Sequence, residues 1–465
     1  MQSSRLKSAP TGLALIAALG PGLVWCSEMV GSGEIILTTR TGAVLGMGVL
    51  WAIVLGIFLK YWMGLSGAHY TVCTGEGMMD MFARIPGPKN WVVWIVVVVQ
   101  FIAAALAIGS IASAAGAFVH GLIPQIPAFY GGLTISLLAF GTAWMGGFRP
   151  IKILLSGLVA VMVIGVLYVT IQVFPGVGFL LEGLKLSVPV VPEWAIALGE
   201  SSNPWDDILP LMGWAAGGFA SQVWYTYWVI GDGYGATNGR GYGTPADTEF
   251  LKTMSNDDAG KIRGWLKMIR FDATIGMSIT LGLTICFLIA GSVILRPMQL
   301  APTGPEVATT LSGIFAHEWG ILGSKLFMLA GLAALTSTQF AQMAGWPRLL
   351  ADGLRICVPS FGKAYPWKTQ FRIFLSIFFV TNIIIVFSLG FKPVVLVKIA
   401  AICDGLLLTP LQALWIAIGL YWVMPRMMPK EAYQIVRPHW IHAVFLMLAF
   451  VVFGYFCIFQ IPRLL

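Results

Sequence analysis

About eleven apolar runs, most of them twenty residues or longer, follow one another along the chain, at roughly 12–39, 43–64, 91–119, 128–146, 151–173, 207–231, 271–295, 321–346, 371–390, 393–424 and 439–460. Coiled as helices, runs of this length match the hydrocarbon thickness of a bilayer, whereas barrel strands read as alternating segments of about ten residues. The pattern predicts an all-α membrane protein. Two runs break their own pattern. The first meets Gly31, Ser32, Gly33 and Glu34 near its middle. In the sixth, Asp206 and Asp207 precede Pro210, Gly213, Gly217 and Gly218, and then come Ser221 and Gln222. Glycine costs about 1 kcal/mol against alanine inside a helix, and an ionised side chain at the bilayer centre about 3 kcal/mol. Irregular backbone at that depth is tolerated only where it is buried in protein or lines a cavity.

Two interrupted helices of opposite orientation, five spans apart, are what an inverted-repeat transporter requires. The expected organisation is a cytoplasmic lead at 1–11, a first repeat at 12–173, an extracellular loop at 174–206, a second repeat at 207–424, and an eleventh span with the C-terminus at 425–465. The charged loops give the orientation. Arg5 and Lys7, Arg84 and Lys89, Arg149 and Lys152, the cluster Arg240 to Arg270, Arg348 to Lys368, and Arg426 to Arg437 fall on alternate connections. The loop at 174–206 instead carries Glu182, Glu193, Glu200 and Asp206 against Lys185. The N-terminus is therefore expected in the cytoplasm.

Composition agrees. Of 465 residues, 58% are hydrophobic and 10% charged, against about 25% charged in soluble proteins. The net charge of +8 resides in loops and is no nucleic-acid footprint. Six scattered cysteines have no paired spacing, which argues against a disulfide framework or a zinc site. The lead-in runs on into the first span with no cleavage pattern. Gly231 to Ala236 matches a dinucleotide fingerprint by letters alone, since it follows a membrane helix rather than a strand. Gly109, Ala112, Ser113 and Gly116 give the small-residue spacing of close helix packing. No nucleophile–base set or phosphate loop points to an enzyme.

The Gly20-Pro21-Gly22 start, the polar break beginning at Gly31 and the closing Thr41-Gly42-Ala43 resemble the first helix of NRAMP-type divalent metal transporters. The likeness continues through Leu50-Trp51-Ala52, Val72 to Gly77 and Met78 to Met81, and more weakly to about residue 425. It implies a LeuT-type fold with a site between helices one and six. The departures bear on the cargo. The family's Asp-Pro-Gly-Asn is here Gly31-Ser32-Gly33-Glu34, with the carboxylate three positions on. Its Met-Pro-His is here Gln222-Val223-Trp224, which removes the soft thioether that selects transition metals. The acids of its third helix are replaced by Ala103 to Gly109, so the family's proton coupling is not expected.

The candidate site follows from these breaks. Glu34, with the freed backbone of Gly31 and Ser32, suits a hard cation, or it caps the following half-helix. Ser221 and Gln222 make the sixth break oxygen-rich, or hydrogen-bond between helices. Asp404 in span ten needs a buried partner, for which Lys398 is a candidate; Glu28 faces the same cavity or pairs with Lys398. Glu34, Gln222 and Asp404 are the expected metal ligands. The resemblance suggests a sodium site at Ser337 and Thr338, within the polar run Thr336 to Gln339, where back-bonding to the helix is the alternative. Trp224, Tyr225 and Tyr227 either pack between helices or wall the site as an aromatic cage for an organic cation. The five histidines fall in loops or near span ends. The expected function is alternating-access transport of a hard divalent cation such as manganese, magnesium or calcium. The alternatives are sodium-coupled transport of a small organic solute and a non-transporting receptor. The expected partners are the bilayer of a prokaryotic plasma membrane and a small cation or solute, with no resident cofactor, nucleic acid or obligate protein partner.

Overall fold

The computed structural model describes residues 6–12, 14–145, 149–303, 306–390 and 392–464. Arg5 and Gly146 lie outside the described residues, as do the side chains of Arg149 and Lys152. All regular structure among the described residues is helical. Helix one comprises α1 (Pro21–Met29), a π-helical turn at Gly33–Thr38 and α2 (Thr39–Leu45). Then come α3 (Leu50–Thr74), α4 (Trp91–Leu122), α5 (Ala128–Met145) and α6 (Arg149–Gln172). Helix six is split into α7 (Trp205–Trp214) and α8 (Phe219–Asp232). The later principal helices are α9 (Asn256–Ala290), α10 (Gly313–Cys357, kinked at Gly320), α11 (Trp367–Leu389), α12 (Pro393–Gly405), α13 (Thr409–Ile418) and α14 (Trp440–Tyr455).

Among the described residues eight helices are long and apolar enough to cross a membrane, or nine if the pair Val159–Gln172 and Val177–Gly183, bent by 107°, counts as one. The fifth span, α6, counts only from Val159, and the interruptions account for the rest of the shortfall from eleven. The interrupted helices fall into pieces shorter than a bilayer. The outer half of helix one also runs on through Gly46 (φ +70°), so that Gly33–Thr74 reads as one stretch.

Boundaries moved in three places, the eighth span, expected at 321–346, running on to Cys357. The second span, expected at 43–64, is α3 at Leu50–Thr74. The seventh, expected from 271, begins at Asn256, so Lys261, Arg263, Lys267 and Arg270 ride on a helical extension rather than in a loop. Ser255 starts that extension by accepting the Asp258 amide at 3.1 Å, and Asp257 and Asp258 complement the positive end of its dipole. Span ten, expected as one run, is interrupted at 406–408 between α12 and α13. Gly231 to Ala236 forms the end of α8 and a short 3-10 turn.

The core is a bundle in which α10 lies along α4 and α6, α12 along α4 and α7, and α9 along α1 and α3. Close approach of α4 and α5 uses the small-residue face, where a Cβ on Gly132 would sit 2.6 Å from the Ala112 carbonyl. On the side of the acidic 174–206 loop Arg40 of α2 bonds to both Glu200 and Asp207, Lys398 of α12 reaches Asp207 at 2.7 Å, and Arg40 also donates to the Pro302 carbonyl at 3.2 Å. Lys398 thus belongs to this outer network and not to Glu28 or Asp404. On the opposite side, that of the basic loops, Arg355 holds Asp80 at 2.6 Å and Asp352 at 2.7 Å, and Tyr227 donates to Asp352 at 2.9 Å. Arg84 grips Glu76 with two bonds of 2.6 and 2.8 Å, which keeps its guanidinium above its ordinary pKa.

Candidate functional site

The two breaks meet inside the bundle. In helix one, α1 ends at Met29 and the chain turns through Val30 and Gly31 before the π-helical turn. In helix six, α7 ends at Trp214, and Ala216 (φ +61°) and Gly217 (φ +71°) carry the chain through left-handed backbone to α8. A non-glycine residue there is unfavourable, and it persists because its surroundings hold it. Gly33 abuts the Trp214 carbonyl so closely that a Cβ would fall 2.8 Å from its oxygen.

Each break leaves helix-end amides and carbonyls without helical partners, and buried charged side chains take them up. Glu34 is fully buried and accepts long hydrogen bonds from Gly31 N (3.4 Å) and Ala216 N (3.5 Å), one from each break. Asp404, at the end of α12, accepts from Ala220 N at 3.2 Å and Trp214 Nε1 at 3.1 Å, capping the positive end of α8. Lys60, in the middle of α3, donates to the carbonyls of Met212 (2.8 Å), Gly213 (2.6 Å), Ala215 (3.1 Å) and Gly217 (2.6 Å).

Between the breaks lies a cavity of about 40 Å³, walled in part by Glu28, Asp404, Ser32, Ser221, Thr338 and Gln342 with Trp214 and Trp224. A water needs about 10–15 Å³ of such space. The cavity is therefore the size of a partly hydrated ion and too small for an amino-acid-sized solute. Glu28 is held by Ser221 Oγ (2.5 Å) and Trp228 Nε1 (3.2 Å), and Ser221 is itself oriented by Trp25 Nε1 at 3.1 Å. Each Glu28 oxygen keeps a free lone pair. Gln342 Oε1 is buried without a partner, an acceptor left over at the cavity wall. Among the described residues no group of three or more His, Cys, Asp or Glu converges. The oxygen set is two carboxylates, hydroxyls and an amide, the donor chemistry of hard cations.

The sequence-predicted residues separate into two groups. Ser32, Ser221, Asp404, Thr338 and Trp224 face the cavity. Glu34 does not, because both its oxygens are turned onto the backbone of the breaks, and Gly31 packs against Thr338. Gln222 also turns away. One helical step from Ser221, it points at Gly64 of α3, with both amide atoms unpartnered. Thus the expected metal set of Glu34, Gln222 and Asp404 is not assembled; Asp404 instead shares the cavity with Glu28. Ser337 and Thr338 diverge, Thr338 facing the cavity with a 3.0 Å back-bond to Ala334, and Ser337 facing a wider vestibule. The aromatic run forms no cage. Tyr225 stacks on Trp25 at 4.2 Å, Tyr227 serves Asp352, and Trp228 serves Glu28. Lys60 and Gln342 were missed. Gln342 had a signal, since it lies four residues after Thr338 and so on the same helix face. Lys60 had one as well, as a lone cation inside an apolar run.

The vestibule, of about 870 Å³, opens on the side that the basic loops assign to the cytoplasm and meets the cavity at Glu28 and Ala341. Its walls include Trp228, Tyr242 and Phe371, which surround the Arg348 guanidinium at 6.0, 5.3 and 5.2 Å from their ring centres.

No protein-family model matches the chain. Over 223 residues it is 26% identical to an uncharacterized protein of Pasteurella multocida, covering 46% of this chain and 47% of that protein. Over 201 residues it is 24% identical to the divalent metal cation transporter MntH of Burkholderia ambifaria, covering 42% and 44%. The matched region thus spans about half the length of these curated relatives. Among solved structures, a manganese transporter of Eremococcus coleocola superposes with TM-score 0.52 at 18% identity over 98% of both chains. Mhp1, a nucleobase-cation-symport-1 family transporter, superposes with TM-score 0.55 at 13% identity over 99% of this chain and 95% of that one. The chain is an all-α integral membrane protein with the LeuT-type fold.

Proposed function

We propose that the protein is a secondary-active transporter that carries a hard divalent cation by alternating access, a divergent relative of the NRAMP-type transporters. One observation carries the reading: Glu28 and Asp404 face a single ion-sized cavity between the breaks of helices one and six. Binding near the midplane, where discontinuous helices meet, is the arrangement of transporters built from inverted repeats. The outer side is closed by the Arg40–Glu200–Asp207–Lys398 network, and the cavity continues into the inner vestibule. This is the inward-facing half of such a cycle. The names of the MntH relative and of the manganese transporter support a metal cargo. The oxygen-only charged ligands point to manganese, magnesium or calcium over softer metals. No acid lies in Ala103 to Gly109, so proton coupling of the family's type is not part of the proposal.

Uptake of manganese, magnesium and calcium into proteoliposomes, with and without sodium or proton gradients, tests it. Transport should be abolished by Glu28→Gln and Asp404→Asn. Uptake of none of the three ions by the unaltered protein would refute the cation reading.

The vestibule favours a second reading, sodium-coupled carriage of an organic solute, because it is wide and ring-lined. Sodium-dependent binding of such a solute without metal uptake would decide for it.

A further inference from the structure

Lys60 is 1% exposed, and its four partners are all carbonyl oxygens, at 2.6–3.1 Å. A neutral amine would turn a lone pair towards this shell, whereas an ammonium offers only donors to it. The oxygens come from the last turn of α7 (Met212, Gly213) and from the break itself (Ala215, Gly217), the negative end of a half-helix that points into the bundle. Carbonyls gathered in this way replace the hydration shell of an alkali cation in channels, and unwound carbonyls hold coupling ions in transporters. Here the position is filled by the chain.

We propose that the carbonyl cage at the helix-six break is a monovalent-cation site whose cation is the Lys60 ammonium, so that the protein needs no dissolved sodium or potassium ion there. The cage adjoins the Glu28–Asp404 cavity at Gly217, but Lys60 itself is not in the cavity wall. The consequence for transport rests on the transporter reading above; the occupancy of the cage does not.

Lys60→Ala empties the cage and keeps the helix, and Lys60→Met keeps the bulk of the stem without the charge. Thermal unfolding of each purified protein in detergent would be compared in choline, potassium and methylammonium chloride at equal ionic strength. The unaltered protein should unfold at the same temperature in all three. Lys60→Ala should unfold lower in choline and recover by a few degrees, saturably, with potassium or methylammonium. Lys60→Met should not recover, because its stem blocks entry. If Lys60→Ala folds only in potassium or methylammonium, removing that salt must unfold it. Identical unfolding of Lys60→Ala in all three salts, or failure to fold in any, overturns the proposal. In liposomes, uptake by Lys60→Ala should require potassium or methylammonium where the unaltered protein does not. If the unaltered protein moves no ion while Lys60→Ala still shows the cation-dependent shift, the transporter reading falls and the cage stands.

Discussion

The two helix breaks are held in contrasting ways. In helix one the freed Gly31 amide is taken up by Glu34, three residues on in the same segment. In helix six the freed groups are taken up by residues from elsewhere: Lys60 of α3 on the carbonyls and Asp404 of α12 on the Ala220 amide. Break one is largely self-contained, and Glu34 reaches outward from it through the 3.5 Å bond to Ala216. Break six is fastened to α3 and α12 and, through Ala216, to Glu34 of helix one. A locally capped break can shift as a unit without stranding its polar groups, whereas a remotely capped one cannot. Helix one is thereby the better suited of the two to move, with helix six as its fixed counterpart.

Five substitutions put this contrast at risk. The largest effect is expected at the cavity, where Glu28→Gln or Asp404→Asn should weaken cation binding about a hundredfold, close to 3 kcal/mol, by calorimetry. Next comes Lys60→Met, which strands buried carbonyls and should cost about 2–3 kcal/mol of stability in denaturant unfolding; an unchanged midpoint would mean that break six does not depend on α3. Arg40→Gln should loosen the outer seal and raise labelling of Ser32→Cys by an external impermeant maleimide severalfold, while leaving break six intact. The smallest effect belongs to Glu34→Gln, which keeps one acceptor and should cost about 1 kcal/mol of stability with little loss of cation affinity. Should Glu34→Gln abolish binding as fully as Glu28→Gln, the distinction between a capping and a liganding carboxylate would fail.

The interruptions were legible because glycines and acids in the middle of an apolar run destabilise a spanning helix unless it unwinds there around a polar site. Both breaks fall where Gly31 and Gly217–Gly218 put them. Which carboxylate lines the cavity was not legible. Glu28 and Glu34 lie six residues apart on either side of the break, and the backbone turn between them decides which one faces inward. Ser221 and Gln222 carry the same ambiguity, since adjacent helical positions point about 100° apart and the face used depends on how α8 rolls against α3. Lys398 looked like a partner for Asp404, which is six residues further along α12. Almost two helical turns separate them, enough to carry Lys398 into the ion-pair network beside Asp207. The early start of helix seven was hidden because its first turns are polar, and a hydropathy window registers only the part that lies in lipid.

Asp404 and Glu28 both do two jobs with the same oxygens. One anchors the first turn of α8 and the other takes the Ser221 hydroxyl and the Trp228 indole. An arriving ion draws charge from those same oxygens and so weakens the hydrogen bonds they accept. Filling the chamber therefore loosens the ties between α1, which carries Glu28, and α8, so that news of occupancy reaches the mobile half-helix without any dedicated sensor.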